Sequence, residues 1–375
     1  MATEQSEPRP PVRSVLDRLA AYQPGRPAEA VAAERGVADV IKLASNEGPY
    51  PPFPEALDAM AKAAAGAHTY PDASASALRD ELGRRLGLDP GMVMLGSGID
   101  GLIGTVVTAF LEPGAELAMC WPSFVSWPLR AQLAGAAVVR APLRDDGVFD
   151  LGALRALVGP RTRLAVVVSP NNPTGGAVSH DDLVAFHADL PATTTMVIDE
   201  AYFEFLPDDG HDGLDILRDG GRVVVMRTFS KAFGLAGLRV GYLLAPHSLI
   251  AELGKVRPAF DINSVAQAAA LASLRSADAH LDERLAEIAR AREALVAGLD
   301  ELGLQTLPSV ANFVLVDFGT EERARAVNEA LLDRGVIVRP AAAFGAPSSL
   351  RISVGLEHEV ERALSALREV LAADD

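Results

Sequence analysis

The feature that most constrains this chain is a regular alternation that begins near Met92. Short apolar runs occupy 92–95, 115–120, 136–141, 163–169, 195–199, 222–226 and 238–243, and helical patterns fall near 98–111, 124–134, 150–158 and 180–189. Continuous apolar runs of this length are those of buried strands. Strands that alternate with helices pair mainly in parallel, each helix carrying the chain back across a face of the sheet. The expected fold is therefore α/β, a mostly parallel seven-stranded sheet with helices on both faces. In open sheets of this kind ligands gather at the C-terminal ends of the strands. The residues just after each apolar run are therefore the ones to read for chemistry.

The flanking segments are organised differently. Residues 1–11 are polar and Pro-rich and read as a tail, and 12–21 as a short helix ended by Gln23-Pro24-Gly25-Arg26-Pro27. A short strand from Val40 enters a Gly/Pro loop, Pro54 opens a helix, and Ser74 or Ser76 is the expected cap of the helix that runs to about Leu86. Residues 200–221 read as a loop with a short helix. Apolar residues three and four apart from about Ala279 to Leu302 predict a helix linking two domains. Strands at 312–317, 336–338 and 350–354, with helices at 321–334 and at the C-terminus, predict a smaller α+β domain. The expected division is an N-terminal arm over 1–45, a large domain over 46–275 and a small domain over 276–375.

The formal charge of −16 argues against nucleic acid or an anionic membrane as partner. No apolar run reaches the length of a membrane span, and the N-terminus lacks the apolar core of a secretory signal. A single cysteine, Cys120, excludes an internal disulfide and fits a reducing compartment, so a cytoplasmic protein is expected. The histidines do not fall at metal-ligand spacing, and no metal is expected.

Four stretches at strand ends carry chemistry. In Thr228-Phe229-Ser230-Lys231-Ala232-Phe233-Gly234, a lysine sits between a hydroxyl residue and a Gly-rich turn, with Arg239 eight residues on. Only four of the 34 basic residues are lysine, and Lys42, Lys62 and Lys255 lie in a strand or on helix surfaces. Lys231 can form a Schiff base with an aldehyde while Ser230 and Arg239 hold an anion beside it. Gly96-Ser97-Gly98-Ile99-Asp100-Gly101 follows a strand and opens a helix whose free N–H groups suit a phosphate. This stretch also fits G-x-G-x-x-G, with Glu116 about twenty residues on, so a nicotinamide oxidoreductase competes. Asn171-Asn172-Pro173-Thr174-Gly175 puts amides at a strand end, and Asp199-Glu200-Ala201-Tyr202 puts a carboxylate and a phenol there. Together these are what a pyridoxal phosphate site requires: a lysine for the aldehyde, an acid for the ring nitrogen, amide and phenol for the ring oxygen, and a phosphate cradle.

With these motifs, and with Tyr22-Gln23-Pro24-Gly25-Arg26-Pro27, Ile41-Lys42-Leu43-Ala44-Ser45-Asn46-Glu47, Tyr70-Pro71-Asp72 and Val338-Arg339-Pro340, the chain resembles the fold-type-I pyridoxal-phosphate aminotransferases. Within them it looks like the histidinol-phosphate aminotransferase family, over roughly 13–370. The resemblance implies Lys231 as Schiff-base lysine and proton shuttle, Asp199 on the pyridine nitrogen, and Asn172 and Tyr202 on the phenolic oxygen. It implies Ser230, Arg239 and the amides near Gly98, Ile99 and Asp100 on the phosphate, Phe124 stacked on the ring, and Tyr70 reaching the phosphate from the partner subunit of a homodimer. Arg351 resembles the arginine that clamps the α-carboxylate of glutamate, a task suited to a planar fork. Arg339, with Tyr22 and Asn46, faces the substrate's distal phosphate in this family, and Asn312 is expected in the same pocket.

The chain departs from the family pattern at Ile99 and Gly101, at Gly48 and Pro51, at Phe124, where tyrosine is common, and at Trp127, expected to enlarge the aromatic wall near the ring. The implied reaction is histidinol phosphate with 2-oxoglutarate. An aromatic amino acid as donor, favoured by Phe124 and Trp127, and decarboxylation of a phosphorylated amino acid are the alternatives within the cofactor class.

Overall fold

The computed structural model describes residues 10–19 and 25–374. Most of the expected tail, the end of the expected first helix and Tyr22 lie outside the described residues; within them, that helix is a 3-10 turn over Ser14–Arg18.

The seven apolar runs form one seven-stranded sheet. Across it the strands lie in the order Val93–Gly96, Gly241–Leu244, Val223–Thr228, Thr195–Asp199, Thr162–Val168, Glu116–Cys120 and Ala137–Ala141. Strand Gly241–Leu244 alone runs against both its neighbours. The reason is its connection: residues 229–240 hold only a 3-10 turn, Ala236–Leu238, and no crossover helix, so the chain can only fold back beside the strand it has left. Two reversals restore direction, so Val93–Gly96 points the same way as Val223–Thr228. The C-terminal ends of Val93–Gly96, Thr162–Val168, Thr195–Asp199 and Val223–Thr228 therefore open on one edge. Their central residues are buried on both faces, Val166, Val197 and Val224 completely, which is why they read as unbroken apolar runs.

The last third of the chain builds a second apolar core. Strands Arg339–Pro340, Ser349–Ser353, Phe313–Asp317 and Gln305–Thr306 form an antiparallel sheet. Helices Glu321–Leu332 and Glu357–Asp374 cover it with Val327, Leu331, Ala363 and Leu367. The N-terminal strand Ile41–Lys42 pairs in parallel with Val336–Ile337, and Ile41 and Leu43 join this core. Helix Ser264–Glu301 runs from one core to the other, giving Ala266, Ala269 and Ala270 to the first and Leu295 and Leu299 to the second.

Three local expectations are corrected. The linking helix starts not near Ala279 but at Ser264, where Asn263 caps it by accepting from the Ala266 N–H at 2.8 Å; its first turns are alanine-rich and packed, without the charged spacing that marks the rest. Neither Ser74 nor Ser76 caps helix Ser76–Leu86. The carboxylate of Asp72 does so, accepting from the Ser74 N–H at 2.9 Å and the Ser76 N–H at 2.7 Å. Helix Ala28–Arg35, which follows the Pro-rich turn, was not expected. Among the described residues no helix is long and apolar enough to cross a membrane.

Candidate active site

The shared strand edge faces the second core across a cavity of about 280 Å³. Ile99, Asp100, Phe124, Asn172, Asp199, Tyr202, Ser230, Lys231 and Arg239 line it from the sheet side. Ser45 and Asn46 close it from the N-terminal segment, Arg339 and Arg351 from the antiparallel sheet, and Phe344 from the 3-10 turn between their strands. The chain thus brings together nearly all the residues singled out from its motifs, from segments more than 300 positions apart.

Lys231 stands at the turn after strand Val223–Thr228. Its Nζ lies 3.4 Å from the Ser45 carbonyl and 5.6 Å from the centre of the Tyr202 ring. Burial pushes its ammonium down to about 7; the nearby Arg351 and Arg239 push the same way and Glu47 opposes them. Near neutral pH this lysine is therefore partly a free amine, the form that is nucleophilic and basic. Asp199, at the end of its strand, is buried, and burial raises its carboxyl to about 6. Hydrogen bonds from Trp127 and the Ala201 N–H oppose that rise, and Glu200 adds to it. Asp199 Oδ1 is buried without a hydrogen-bond partner among the described residues.

Helix Gly98–Phe110 begins on the cavity, and its N-cap Ser97 makes no side-chain cap, which leaves the first amides for a ligand. Gly98 has φ +69°, and a Cβ there would stand 2.6 Å from Nη2 of Arg239. Only glycine lets the guanidinium lie over this helix start. Ser230 receives a hydrogen bond from the Thr228 hydroxyl at 2.9 Å. The Asp100 carboxylate is drawn aside by Arg130 at 3.1 Å.

The Asn46 side chain, at φ +52°, donates from Nδ2 to the Tyr202 hydroxyl at 2.9 Å and accepts from Ser353 Oγ at 3.0 Å. Arg351 donates to the Ala44 carbonyl at 2.8 Å and to Oδ1 of Asn172. Arg339 and Arg351 flank Phe344, their guanidinium carbons 5.6 and 5.1 Å from its ring centre.

Several expected residues are placed elsewhere. Asn312 is not in the cavity wall; it stands one layer behind, its Nδ2 donating to the Asn46 carbonyl at 3.2 Å. Tyr70, expected to act from the partner subunit, is 81% exposed and lies outside this chain's own cavity, as that expectation requires. Trp127 is not part of an aromatic wall: it is completely buried, and its indole N–H donates to Asp199 Oδ2 at 2.9 Å. Glu116, the acid the dinucleotide reading needed, is held by Arg161 at 2.8 Å at the opposite, N-terminal end of its strand. Sequence reasoning gave no cavity role to Thr228 or Phe344, and no supporting one to Ser353, which holds Asn46 from outside the cavity wall. Thr228 and Ser353 could have been found by period-two spacing from Ser230 and Arg351; Phe344 carried no signal.

A buried acid with an unpartnered oxygen, a half-buried amine of lowered pKa, and a glycine-opened helix start beside an arginine fit the ring nitrogen, aldehyde and phosphate of pyridoxal phosphate. Fold and site together thus define a pyridoxal-phosphate enzyme of the open α/β type. The model of the aminotransferase class I and II family matches residues 38–367, and the chain belongs to that family. It is 44% identical to a histidinol-phosphate aminotransferase of Anaeromyxobacter sp. (strain Fw109-5), over 95% of this chain and 97% of that one. Against one of Akkermansia muciniphila the identity is 40%, over 94% and 96%. The crystal structure of histidinol-phosphate aminotransferase from Sinorhizobium meliloti in complex with pyridoxal-5'-phosphate superposes with a TM-score of 0.91 at 32% identity, covering 98% of this chain and 100% of that one. The nicotinamide reading of Gly96–Gly101 falls with this assignment.

Proposed function

We propose that this aminotransferase moves the amino group of histidinol phosphate to 2-oxoglutarate, giving imidazole acetol phosphate and glutamate, and that it works in the cytoplasm as a homodimer. The observation that carries the reading is the pair Arg339 and Arg351, two guanidinium groups facing one cavity across an aromatic ring, in a chain similar throughout to histidinol-phosphate aminotransferases. The donor carries a phosphate and an aromatic ring and the acceptor carries two carboxylates, so both demand cations, and the donor's ring also a flat apolar surface.

Bound pyridoxal phosphate supplies an aldehyde that condenses with amines and a ring that stores the electron pair released at the substrate's Cα. The chain's own residues do the rest. Asp199 would hold the ring nitrogen in its protonated form, Asn172 and Tyr202 the phenolic oxygen, and Phe124 the ring face. Ser230, Arg239 and the amides at Gly98, Ile99 and Asp100 would hold the phosphate, with Tyr70 of the second copy. Lys231, partly neutral near pH 7, takes the proton from the substrate's Cα and returns it on the other side of the transfer. Arg351 receives the carboxylate of glutamate, and Arg339, with Asn46 and Tyr22, the distal anion; Asn312 acts on Asn46 from behind. We assign 46–275 to the cofactor-binding unit and 1–45 with 276–375 to a smaller unit, whose Arg339, Phe344 and Arg351 close the cavity.

A donor panel tests this. With 2-oxoglutarate as acceptor, glutamate formation from histidinol phosphate is expected to exceed that from phenylalanine or tyrosine by tenfold or more in kcat/KM, on the order of one lost charged contact. Equal or greater turnover of the aromatic amino acids would reassign the site to an aromatic donor, with Phe124 and Phe344 as its wall.

A further inference from the structure

Trp127 has no part in the roles above, yet it makes the one side-chain hydrogen bond to Asp199 found among the described residues. Its ring is completely buried at the start of helix Ser126–Leu133. The indole N–H meets Oδ2 at 2.9 Å, and Oδ1 is left buried without a partner. An indole nitrogen only donates. It therefore stabilises the ionised carboxylate and cannot bind the protonated oxygen as an acceptor. It also removes one of two equivalent choices: with Oδ2 engaged, Oδ1 is the oxygen that remains for a ligand.

We propose that Trp127 is a positioning residue for the cofactor: its indole N–H pins Asp199 Oδ2, fixing the carboxylate so that Oδ1 is presented, charged, to the protonated ring nitrogen. This rests on the assignment of Asp199 to that nitrogen. The other groups that act on Asp199 are the Ala201 N–H, which favours the charge, and Glu200, which disfavours it. Glu200 is itself neutralised by Arg227 at 2.7 Å and adjoins the buried His211 at 3.6 Å. Lys231 shares the cavity. Of these only the Ala201 N–H is also a donor, and it belongs to the backbone; the indole is the one side-chain donor to the carboxylate among the described residues. Without the indole N–H, both oxygens would be buried with no side-chain partner, and the carboxyl would hold its proton to higher pH.

The test is Trp127→Phe, which keeps a large ring and deletes the donor. Apoprotein is titrated with pyridoxal phosphate, and binding is followed by absorbance at several pH values. The dissociation constant is expected to rise about tenfold near neutral pH, the order of one charge-assisted hydrogen bond, and the pH below which affinity falls is expected to move upward. Asp199→Asn is the reference. If Asp199→Asn weakens binding and Trp127→Phe changes neither affinity nor its pH dependence, Trp127 only fills space and the inference is overturned. If Asp199→Asn itself leaves affinity unchanged, the role of Asp199 fails first. A measurement on the unmutated protein stands apart from any loss of folding. Trp121 and Trp127 are the chain's two tryptophans, so two indole N–H resonances are expected from apoprotein labelled at the indole nitrogen. That of Trp127 is expected to shift as Asp199 titrates and again when pyridoxal phosphate is added. A resonance that moves in neither experiment overturns the proposal.

Discussion

Lys231 shows what the site costs the empty protein. Its ammonium is depressed to about 7 in the folded chain, against an ordinary value near 10.5. Between those values the unfolded chain carries a proton that the folded chain does not. Apoprotein stability therefore rises with pH across this window as the burial penalty is relieved, and the penalty is greatest below pH 7. Lys231→Met removes the penalty. The variant apoprotein is expected to melt above the wild type near neutral pH, with the gap closing as pH is raised toward about 10. Thermal melts of the two apoproteins across that range check it. A gap that stays constant or widens with pH would mean that Lys231 is not the group responsible. The same variant is expected to lose turnover, since no other amine lines the cavity among the described residues.

At the scale of elements, the phosphate cradle depends on how closely helix Gly98–Phe110 approaches strand Gly241–Leu244 and its leading Arg239. Arg239 itself sits at φ +55°, which turns its side chain back over the helix start. Gly98→Ala would place a methyl where the guanidinium lies and strain a backbone at φ +69°. Affinity for pyridoxal phosphate is expected to fall about tenfold or more, with Arg239→Ala giving a similar loss and the double variant little beyond either alone, because both act on one contact. Fully additive losses would separate the two residues.

Much of this level was legible in the sequence. Apart from the partly exposed edge strand Ala137–Ala141, the sheet strands announced themselves because both their faces are buried, and the ligand edge followed from their C-terminal ends. What was not legible depends on distant partners. The reversed strand follows from a connection too short for a crossover, which hydrophobic pattern alone does not report. Two-residue strands such as Gln305–Thr306 and Arg339–Pro340 have no periodicity to read. Trp127 is only three residues from Phe124 in the chain, but its place at a helix start turns it inward against Asp199. Asn312 carried the right chemistry for a pocket residue but lies behind the residue that lines it.

For the molecule as a whole, the cavity is closed by contacts between segments far apart in the chain. Asn46 is gripped through Ser353 Oγ, which accepts from its N–H at 2.8 Å, and by Asn312. Arg351 ties Ala44 to Asn172. Tyr70 is the exception. It is exposed and stacked on the exposed Phe260, ring centres 4.6 Å apart. Its turn is held firmly: Gln267 of the linking helix donates to the Asp72 carbonyl at 2.9 Å, and Arg257 to the Ala73 carbonyl at 2.8 Å. If Tyr70 serves the cavity of the other copy in a two-fold dimer, the defects of Tyr70→Ala and Lys231→Ala must complement. A mixed dimer holds one site with both residues intact and one with neither. Random reassociation of equal amounts makes half the dimers mixed, so activity is expected to recover to roughly a quarter of wild type, while each variant alone stays far below it. The measurement is glutamate formation after the two proteins are unfolded together and refolded, against the same treatment of each alone. No recovery, with mixed dimers demonstrated by a size or affinity tag, would place the action of Tyr70 within its own subunit.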